Sequence, residues 1–560
     1  MKNIFLFIII GISASLVDAS DIYRASPERY IGKSDIVEIS IGTKYMAVTS
    51  DPQATEAAYN VLSNGGTAAD AAIAAQFVLG LTEPQSSGLG GGAFVIYYDA
   101  KQNLLTTFDG RETAPLASTP NYFLNNDKNP MGFYEAVLDG RSVGVPGTPA
   151  VLGKLHERFG KTDIKKLIKP AVTLAMNGFA PSRGLLESLQ NDIGRLDKNK
   201  KNKEYFYNKN IIKNKNYADV LKAFADKGHN IFYKFPISTN IINAVNKKNG
   251  VLTQKDFDRY RVIERKPVCG IFQKHKVCSM GEPSSGALTM LQILKLINHN
   301  PTWHNYIEAS KLAFADRNYY IADSDFVKTP GERLLDDNYI LKRRRLISNE
   351  NIINNARHGT PDNWKENTQS SYDGPNESGT THISIIDQYG NAISMTSTIE
   401  NAFGSRIMAN GYLLNNELTD FSFSPKKNNN LVANRVQAGK RPRSSMTPTI
   451  IFSTSTNKPT LIIGSAGGSR IIGYVTQRII DILYNNMSLE DAINSPHILS
   501  RGGNVESEEQ TFISDILIQK GHILNITPLA SGLTAIHVNS EKNFIKGVSD
   551  PRRIGIVLGR

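Results

Sequence analysis

The chain has 560 residues, 40% of them apolar and 21% charged, with a formal net charge of +12. That composition supports a large folded core and excludes wholesale disorder, and the length holds roughly three to four domains' worth of sequence. Part of the positive excess lies in the Lys/Asn-rich stretch 197–216, which is accompanied by no aromatic-stacking motif or helix-turn-helix pattern and reads as solvated surface, not a nucleic-acid face.

The N-terminal "MKNIFLFIIIGISASLVDAS" has a basic start at Lys2, an apolar run over residues 4–12 and small residues up to Ala19. This is the pattern of a secretory signal peptide, residues 1–19, with cleavage after Ala19. The apolar run is too short to span a bilayer and no later segment is long enough. The mature protein is therefore expected to be exported and, in a bacterium, periplasmic, with no membrane span. Its two cysteines, Cys269 and Cys278, lie in "VCGIFQKHKVCSM", which suits a hairpin but leaves their pairing open. Neither has a second Cys or His at zinc-site spacing, so no metal is expected.

From residue 51 the pattern is helical. Asp51 is placed to cap a helix that begins at Pro52 and ends at Asn64-Gly65-Gly66, and an alanine-rich helix follows to about Thr82. The glycines of "GLGGGAF" (88–94) follow a helix and open a strand, the reverse of a dinucleotide fingerprint. "GRSVG" around Ser142 matches a nucleophile elbow, but Pro146 and Pro149 forbid the helix that an elbow needs. Two further segments, "SSGALTMLQILKLIN" and "NYIEASKLAFADRNYYIAD", have helical spacing. A polar, turn-rich stretch at 370–379 reads as an exposed boundary. Strands then dominate: "THISIID", "AISMTST", "GYLLNN", "TPTIIFS" and "KPTLIIGS". The chain is read as α+β, a layered sandwich, in preference to a doubly wound parallel sheet.

"GTTHISIIDQYGNAISMTST" reads as a hairpin. A two-residue turn at Tyr389-Gly390 places Thr380 opposite residue 399, so Thr398 falls within one residue of direct opposition. Taken alone, that is ordinary cross-strand threonine pairing.

Thr380-Thr381-His382, "LLNNELTDF" (413–421), "KRPRSSMTPT" (440–449) and "GSAGGSR" (464–470) occur in that order, with "EPQSSGLGGGAF", "GRETAP", "GVPG", "EPSSGALT" and "FADR" upstream and "GVSDPRR" downstream. Together they cover nearly the whole mature chain, and it resembles the gamma-glutamyltransferase (gamma-glutamyl transpeptidase) family of N-terminal nucleophile hydrolases. The resemblance implies a four-layer αββα sandwich and a proenzyme that cuts itself between Gly379 and Thr380. It gives a large subunit 20–379 and a small subunit 380–560, which stay together as a heterodimer. It makes Thr380 the nucleophile, activated by the α-amine that the cut creates, with an ordinary pKa of about 7.7–8.0. Thr398 would orient Thr380, and Gly467 and Gly468 would be the oxyanion hole. Arg111, Ser444 and Ser445 would grip the donor's α-carboxylate and Asp420 its α-ammonium. No cofactor is implied; the partners are small gamma-glutamyl donors and amino-acid or peptide acceptors.

The match has departures. Glu400 and Glu417 stand where well-known bacterial members carry Asn and Gln; both remain candidates for the donor ammonium. Arg443 replaces a commonly apolar residue. The loop 424–442, in the position of an active-site lid, is short and has no aromatic residue, which suggests a weak gate. Two other readings share these residues. A cephalosporin (glutaryl) acylase would use the same nucleophile, but its substrate has no ammonium for Asp420; an uncleaved gamma-glutamyl-binding homologue would have no use for Thr380, Thr398, Gly467 and Gly468.

Overall fold

The computed structural model describes residues 32–207, 209–365, 369–370 and 379–560. The expected signal segment 1–19 and residues 371–378 of the expected boundary lie outside the described residues. Two seven-stranded sheets face each other. One runs, in spatial order, Ile39–Gly42, Phe544–Ser549, Thr534–Asn539, Pro459–Gly464, Thr449–Ser453, His275–Ser279 and Val268–Phe272. The other runs Ile556–Gly559, Met46–Thr49, Thr380–Ile386, Ala392–Thr398, Gly92–Asp99, Leu104–Gly110 and Ile263–Arg265. Helices Pro52–Ser63 and Ala68–Thr82 cover the outer face of the second sheet, and Gly286–Ile297 and Ile471–Leu483 that of the first. The αββα sandwich expected from the sequence is the observed fold.

Local chemistry explains the elements. Asp51 caps its helix by accepting the Ala54 N–H at 3.1 Å, with Pro52 in the first turn. Thr67 and Asp70 close a capping box on the alanine-rich helix, every residue of which is buried. Small side chains let it lie close to the sheet. Ser142, the discarded elbow serine, spends its hydroxyl on the carbonyls of Val137 (3.0 Å) and Asp139 (2.8 Å).

Period-two alternation sorts the central hairpin. Ile383, Ile385, Ile393 and Met395 pack into the core under the helices. Thr380, His382 and Ser384, with Ser394, Thr396 and Thr398, turn toward the other sheet. There His382 packs on Gly464, and Ser384 and Ser394 donate to the carbonyls of Thr534 (3.0 Å) and Ile463 (3.1 Å). The register corrects the expectation by one residue: Thr380 stands directly opposite Thr398. The turn is not a two-residue Tyr389-Gly390 turn but a loop from Asp387 to Asn391. The Asp387 carboxylate accepts the N–H groups of Tyr389 and Asn391, each at 2.9 Å.

Strands on both sides of residue 379 interleave in both sheets, so a cut there would leave two chains sharing one core. Among the described residues no helix is long and apolar enough to cross a membrane, and no group of three potential metal-ligating side chains occurs.

Cys269 and Cys278 are direct partners in the hairpin Val268–Phe272/His275–Ser279 and form a disulfide across it, which closes the question left open by the sequence. Closing so short a loop stabilises a fold by about 2–3 kcal/mol in the chain-entropy account. The Cys269→Ala/Cys278→Ala protein should therefore lose about 2 kcal/mol in denaturant unfolding, as should the reduced wild type. Equal midpoints for oxidised wild type and variant would contradict this.

Candidate active site

Direct pairing of Thr380 with Thr398 builds a chain of hydroxyls. Thr380 Oγ1 donates to Thr398 Oγ1 at 3.3 Å, and Thr398 Oγ1 donates to the Gly379 carbonyl at 2.7 Å. The Glu400 N–H donates into Thr398 Oγ1 at 2.8 Å and fixes that hydroxyl's direction. The proposed nucleophile is thus linked through one hydroxyl to the carbonyl of the peptide bond preceding it. Gly379 has φ +121°, and a Cβ there would collide with the backbone of Glu400 and Asn401, so only glycine fits before Thr380.

Thr381 points to the helix side. Its hydroxyl lies 2.6 Å from Ser50 Oγ, and both hydroxyls donate to Glu83 Oε2, at 3.0 Å from Thr381 and 2.5 Å from Ser50. Burial, with the charge of Asp51 nearby, pushes the Glu83 carboxyl up to about 7. On the inter-sheet side His382 sits between Thr396 Oγ1 (2.8 Å) and Ser394 Oγ (3.1 Å), and burial lowers its pKa to about 3. It is a neutral structural histidine, not a base.

Thr398 pairs on its other side with Gly92, and the adjacent Ala93 pairs with Gly110. Arg111 therefore emerges at the same sheet end as the threonines. Its guanidinium pairs with Glu417 and Asp420, both on the short turn Glu417–Asp420, and donates to the carbonyls of Pro442 (3.2 Å) and Arg443 (2.9 Å). Glu112 lies against Gly92, and burial pushes its carboxyl up to about 7 against the pull of Arg111. Glu400 is held by Asn416, whose own N–H bonds the Ile399 carbonyl at 3.2 Å, and this joins the arginine cluster to the threonines. Ser444 and Ser445 follow the arginine-bound carbonyls, and their hydroxyl oxygens serve as acceptors. Ser444 Oγ accepts the Met446 N–H at 3.2 Å, and Ser445 Oγ accepts from Arg317 Nη2 at 2.6 Å.

Gly467 and Gly468 come from the other sheet. They follow the strand Pro459–Gly464, whose end meets His382, and lead through a 3-10 turn into the helix Ile471–Leu483. N–H groups at a helix start have no partner within the helix and suit an anionic oxygen. Gly467 has φ +123°.

The loop 424–442 is more built than its composition suggested. It forms a small hairpin, Lys426–Lys427 with Asn430–Val432, and Val436 is buried among Phe123, Leu418 and Phe421. Lys440 Nζ donates to the carbonyls of Ala433 (2.6 Å) and Arg435 (3.1 Å). Asn434 bonds the Asp420 carbonyl (2.7 Å) and the Arg443 N–H (2.9 Å), so the loop is anchored beside the arginine cluster.

The sequence motifs contained Glu83 and Glu112, in "EPQSS" and "GRETAP", without marking either as part of the site. Comparison with known proteins adds four findings. The family model described as Gamma-glutamyltranspeptidase matches residues 54–559. The "Glutathione hydrolase proenzyme" of Bacillus subtilis (strain 168) is 34% identical over 549 residues, covering 93% of this chain and 92% of that protein. Among solved structures, the cephalosporin acylase from Bacillus halodurans aligns with TM-score 0.83 at 23% identity, covering 96% of this chain and 99% of that one, a likeness of fold. A chain of the Helicobacter pylori gamma-glutamyltranspeptidase aligns with TM-score 0.54 at 31% identity, covering 57% of this chain and 96% of that chain.

Glu83 supplies a pH test. Its folded pKa of about 7 exceeds the model-peptide value of 4.5, so the stability of its protonated form is complete below 4.5 and lost as pH rises through 7. Glu83→Gln, neutral at every pH, should remove up to about 3 kcal/mol of this pH-dependent loss. Parallel stability curves for wild type and variant from pH 4 to 8 would contradict it.

Proposed function

This chain belongs to the gamma-glutamyltranspeptidase family, and from that premise we propose that it is a self-processing gamma-glutamyltransferase and glutathione hydrolase. The observation that carries the reading is the hydroxyl chain Thr380–Thr398–Gly379. Thr398 polarises the Gly379 carbonyl while it orients the attacking oxygen. In the self-cleavage we propose, Thr380 Oγ bonds to the Gly379 carbonyl carbon, the C–N bond breaks, and the hydroxyl proton passes to the departing nitrogen. Water then hydrolyses the ester, leaving a carboxylate on Gly379 and a free amine on Thr380. That amine is the base for later turnovers, taking the Thr380 proton as the hydroxyl attacks a donor's gamma-carbonyl. The acyl-enzyme passes to water or to an amino acid or peptide. The oxyanion formed at each step is assigned to the N–H groups of Gly467 and Gly468.

Charge favours a gamma-glutamyl donor over a glutaryl one. Arg111 pairs with two carboxylates, Glu417 and Asp420, and its charge also reaches the buried Glu112. An α-ammonium relieves that excess of acid, whereas a glutaryl group brings only another carboxylate. In this arrangement Arg111 already pairs with Glu417 and Asp420, so a bound zwitterion exchanges ion pairs: carboxylate to Arg111, ammonium to the released acids. Export to the periplasm is part of the proposal, supported by the N-terminal segment and by the Cys269–Cys278 disulfide.

Three outcomes are expected. Wild type should turn over gamma-glutamyl-anilide in preference to glutaryl-anilide, and Thr380→Ala should lose at least about 10³-fold in turnover; equal activity of the two proteins would end the assignment. Thr398→Val, which keeps the shape and removes the hydroxyl, should slow appearance of the cut fragments about 10–100-fold, the worth of a buried hydrogen bond of 1–3 kcal/mol. An unchanged rate on gels would remove Thr398 from the mechanism.

A further inference from the structure

One buried polar cluster has no part in the chemistry above. The Gly467-Gly468 turn is held from two sides. On one side Gly532 donates its N–H to Ser465 Oγ (3.2 Å), and its carbonyl accepts the Ala466 N–H (3.4 Å). On the other, the Tyr474 ring fills the space beside Gly467, 2.6 Å from where a Cβ would stand. Tyr474 lies in the first turn of the helix that follows the glycines.

Both supports meet at His497, which is fully buried. Its ring lies 4.2 Å, centroid to centroid, from that of Tyr474. Its Nδ1 is 2.9 Å from Nη2 of Arg478, four residues after Tyr474 on the same helix. Its Nε2 is 2.8 Å from Oγ of Ser531, the residue before Gly532. Ser531 Oγ is in turn 2.5 Å from Asp550 Oδ2, which also accepts the Leu533 N–H at 2.9 Å.

The direction of every bond in this chain is fixed. A guanidinium only donates, so Nδ1 must accept from Arg478. The neutral ring then carries its proton on Nε2 and donates it to Ser531, whose own proton goes to Asp550. Burial and the nearby Arg552 and Arg478 hold His497 well below the usual histidine range, so this tautomer persists. Serine, histidine and aspartate here are wired in the opposite sense to a catalytic triad: the serine receives a proton from the ring instead of giving one. Ser531 is also fully buried. The cluster is not a second hydrolytic site.

We propose that His497 is a positioning residue for the oxyanion site, setting the direction of the Gly467 and Gly468 N–H groups through Ser531–Gly532 on one side and Tyr474 on the other. The inference rests on the reading of those glycines as oxyanion donors. Such donors act on charge that develops only in the transition state, so loosening them lowers kcat and leaves substrate binding alone.

Three variants of the processed protein test it. His497→Phe keeps a ring against Tyr474 and loses both hydrogen bonds. Ser531→Ala breaks only the link to Gly532. His497→Gln restores one acceptor and one donor. Each is assayed for kcat and KM on gamma-glutamyl-anilide and glutaryl-anilide, and by hydrogen exchange of the peptide spanning 464–470. The Phe and Ala variants should lose about 10–100-fold in kcat with KM unchanged within about twofold. Exchange at 464–470 should accelerate while that of Thr380–Ile386 stays as in wild type, and Gln should recover most of both effects. Unchanged kcat and exchange in the Phe and Ala variants would overturn the proposal. So would exchange accelerated throughout the chain, or a Gln variant no better than Phe. A wild type that prefers glutaryl-anilide defeats the donor reading and leaves this comparison intact, since both anilides develop the same oxyanion. For a chain that turns over neither, the exchange result decides. If His497→Phe fails to fold, Ser531→Ala carries the same expectation.

Discussion

A single hydroxyl, that of Thr398, ties Thr380 to the bond it is proposed to cut. Its usefulness depends entirely on strand register. Thr380 and Thr398 face each other only because the hairpin closes through the five residues from Asp387 to Asn391. A slip of one residue would turn Thr398 to the helix side and bring Ser397 to the gap between the sheets. Asp387 prevents the slip. One of its oxygens gathers the N–H groups of the loop, and the other accepts the Ala68 N–H (2.8 Å) at the start of the alanine-rich helix. A turn residue far from Thr380 thus sets the geometry of the site and docks the hairpin to its covering layer.

The same strand order assembles the rest. Thr380, Thr398, Gly92 and Gly110 stand at one end of four neighbouring strands, so the Arg111 cluster arrives beside the hydroxyl pair without any long loop. The facing sheet brings Gly467-Gly468 from the opposite side. In the proposed reading the nucleophile and the charged groups belong to one sheet and the oxyanion donors to the other. Arg111 is buried and its charge is met by Glu417 and Asp420 before any donor arrives. This limits the desolvation cost of the buried guanidinium, and in the proposed function it makes recognition an exchange of partners.

Much of this was legible in the sequence, for physical reasons that differ by element. The first two helices were marked by Asp51-Pro52 and by glycines, local signals that act over a few residues. The hairpin was legible from alternation, but its register was off by one because the side-chain chemistry of Asp387 lengthened the turn. Arg111, Asp420 and the glycine pair were reached only through the ordered motifs, since partners some 300 residues apart leave no local trace. Glu83 and Glu112 lay inside those motifs unmarked: their raised pKa values come from burial by elements distant in sequence. His497 carried no signal at all. The loop 424–442 looked weak because it lacks aromatics, yet Lys440, Asn434 and Val436 anchor it with a buried amine, an amide and a buried apolar side chain.

The central claim is that the chain cuts its own backbone between Gly379 and Thr380, and so creates the amine on which its chemistry depends. Time-resolved intact mass spectrometry of the purified precursor, with N-terminal sequencing of the smaller product, tests this most directly. The account predicts two fragments, the smaller beginning at Thr380, formed with a first-order rate independent of protein concentration. A single uncut chain after prolonged incubation, a cut at another bond, or a rate that rises with protein concentration would contradict it.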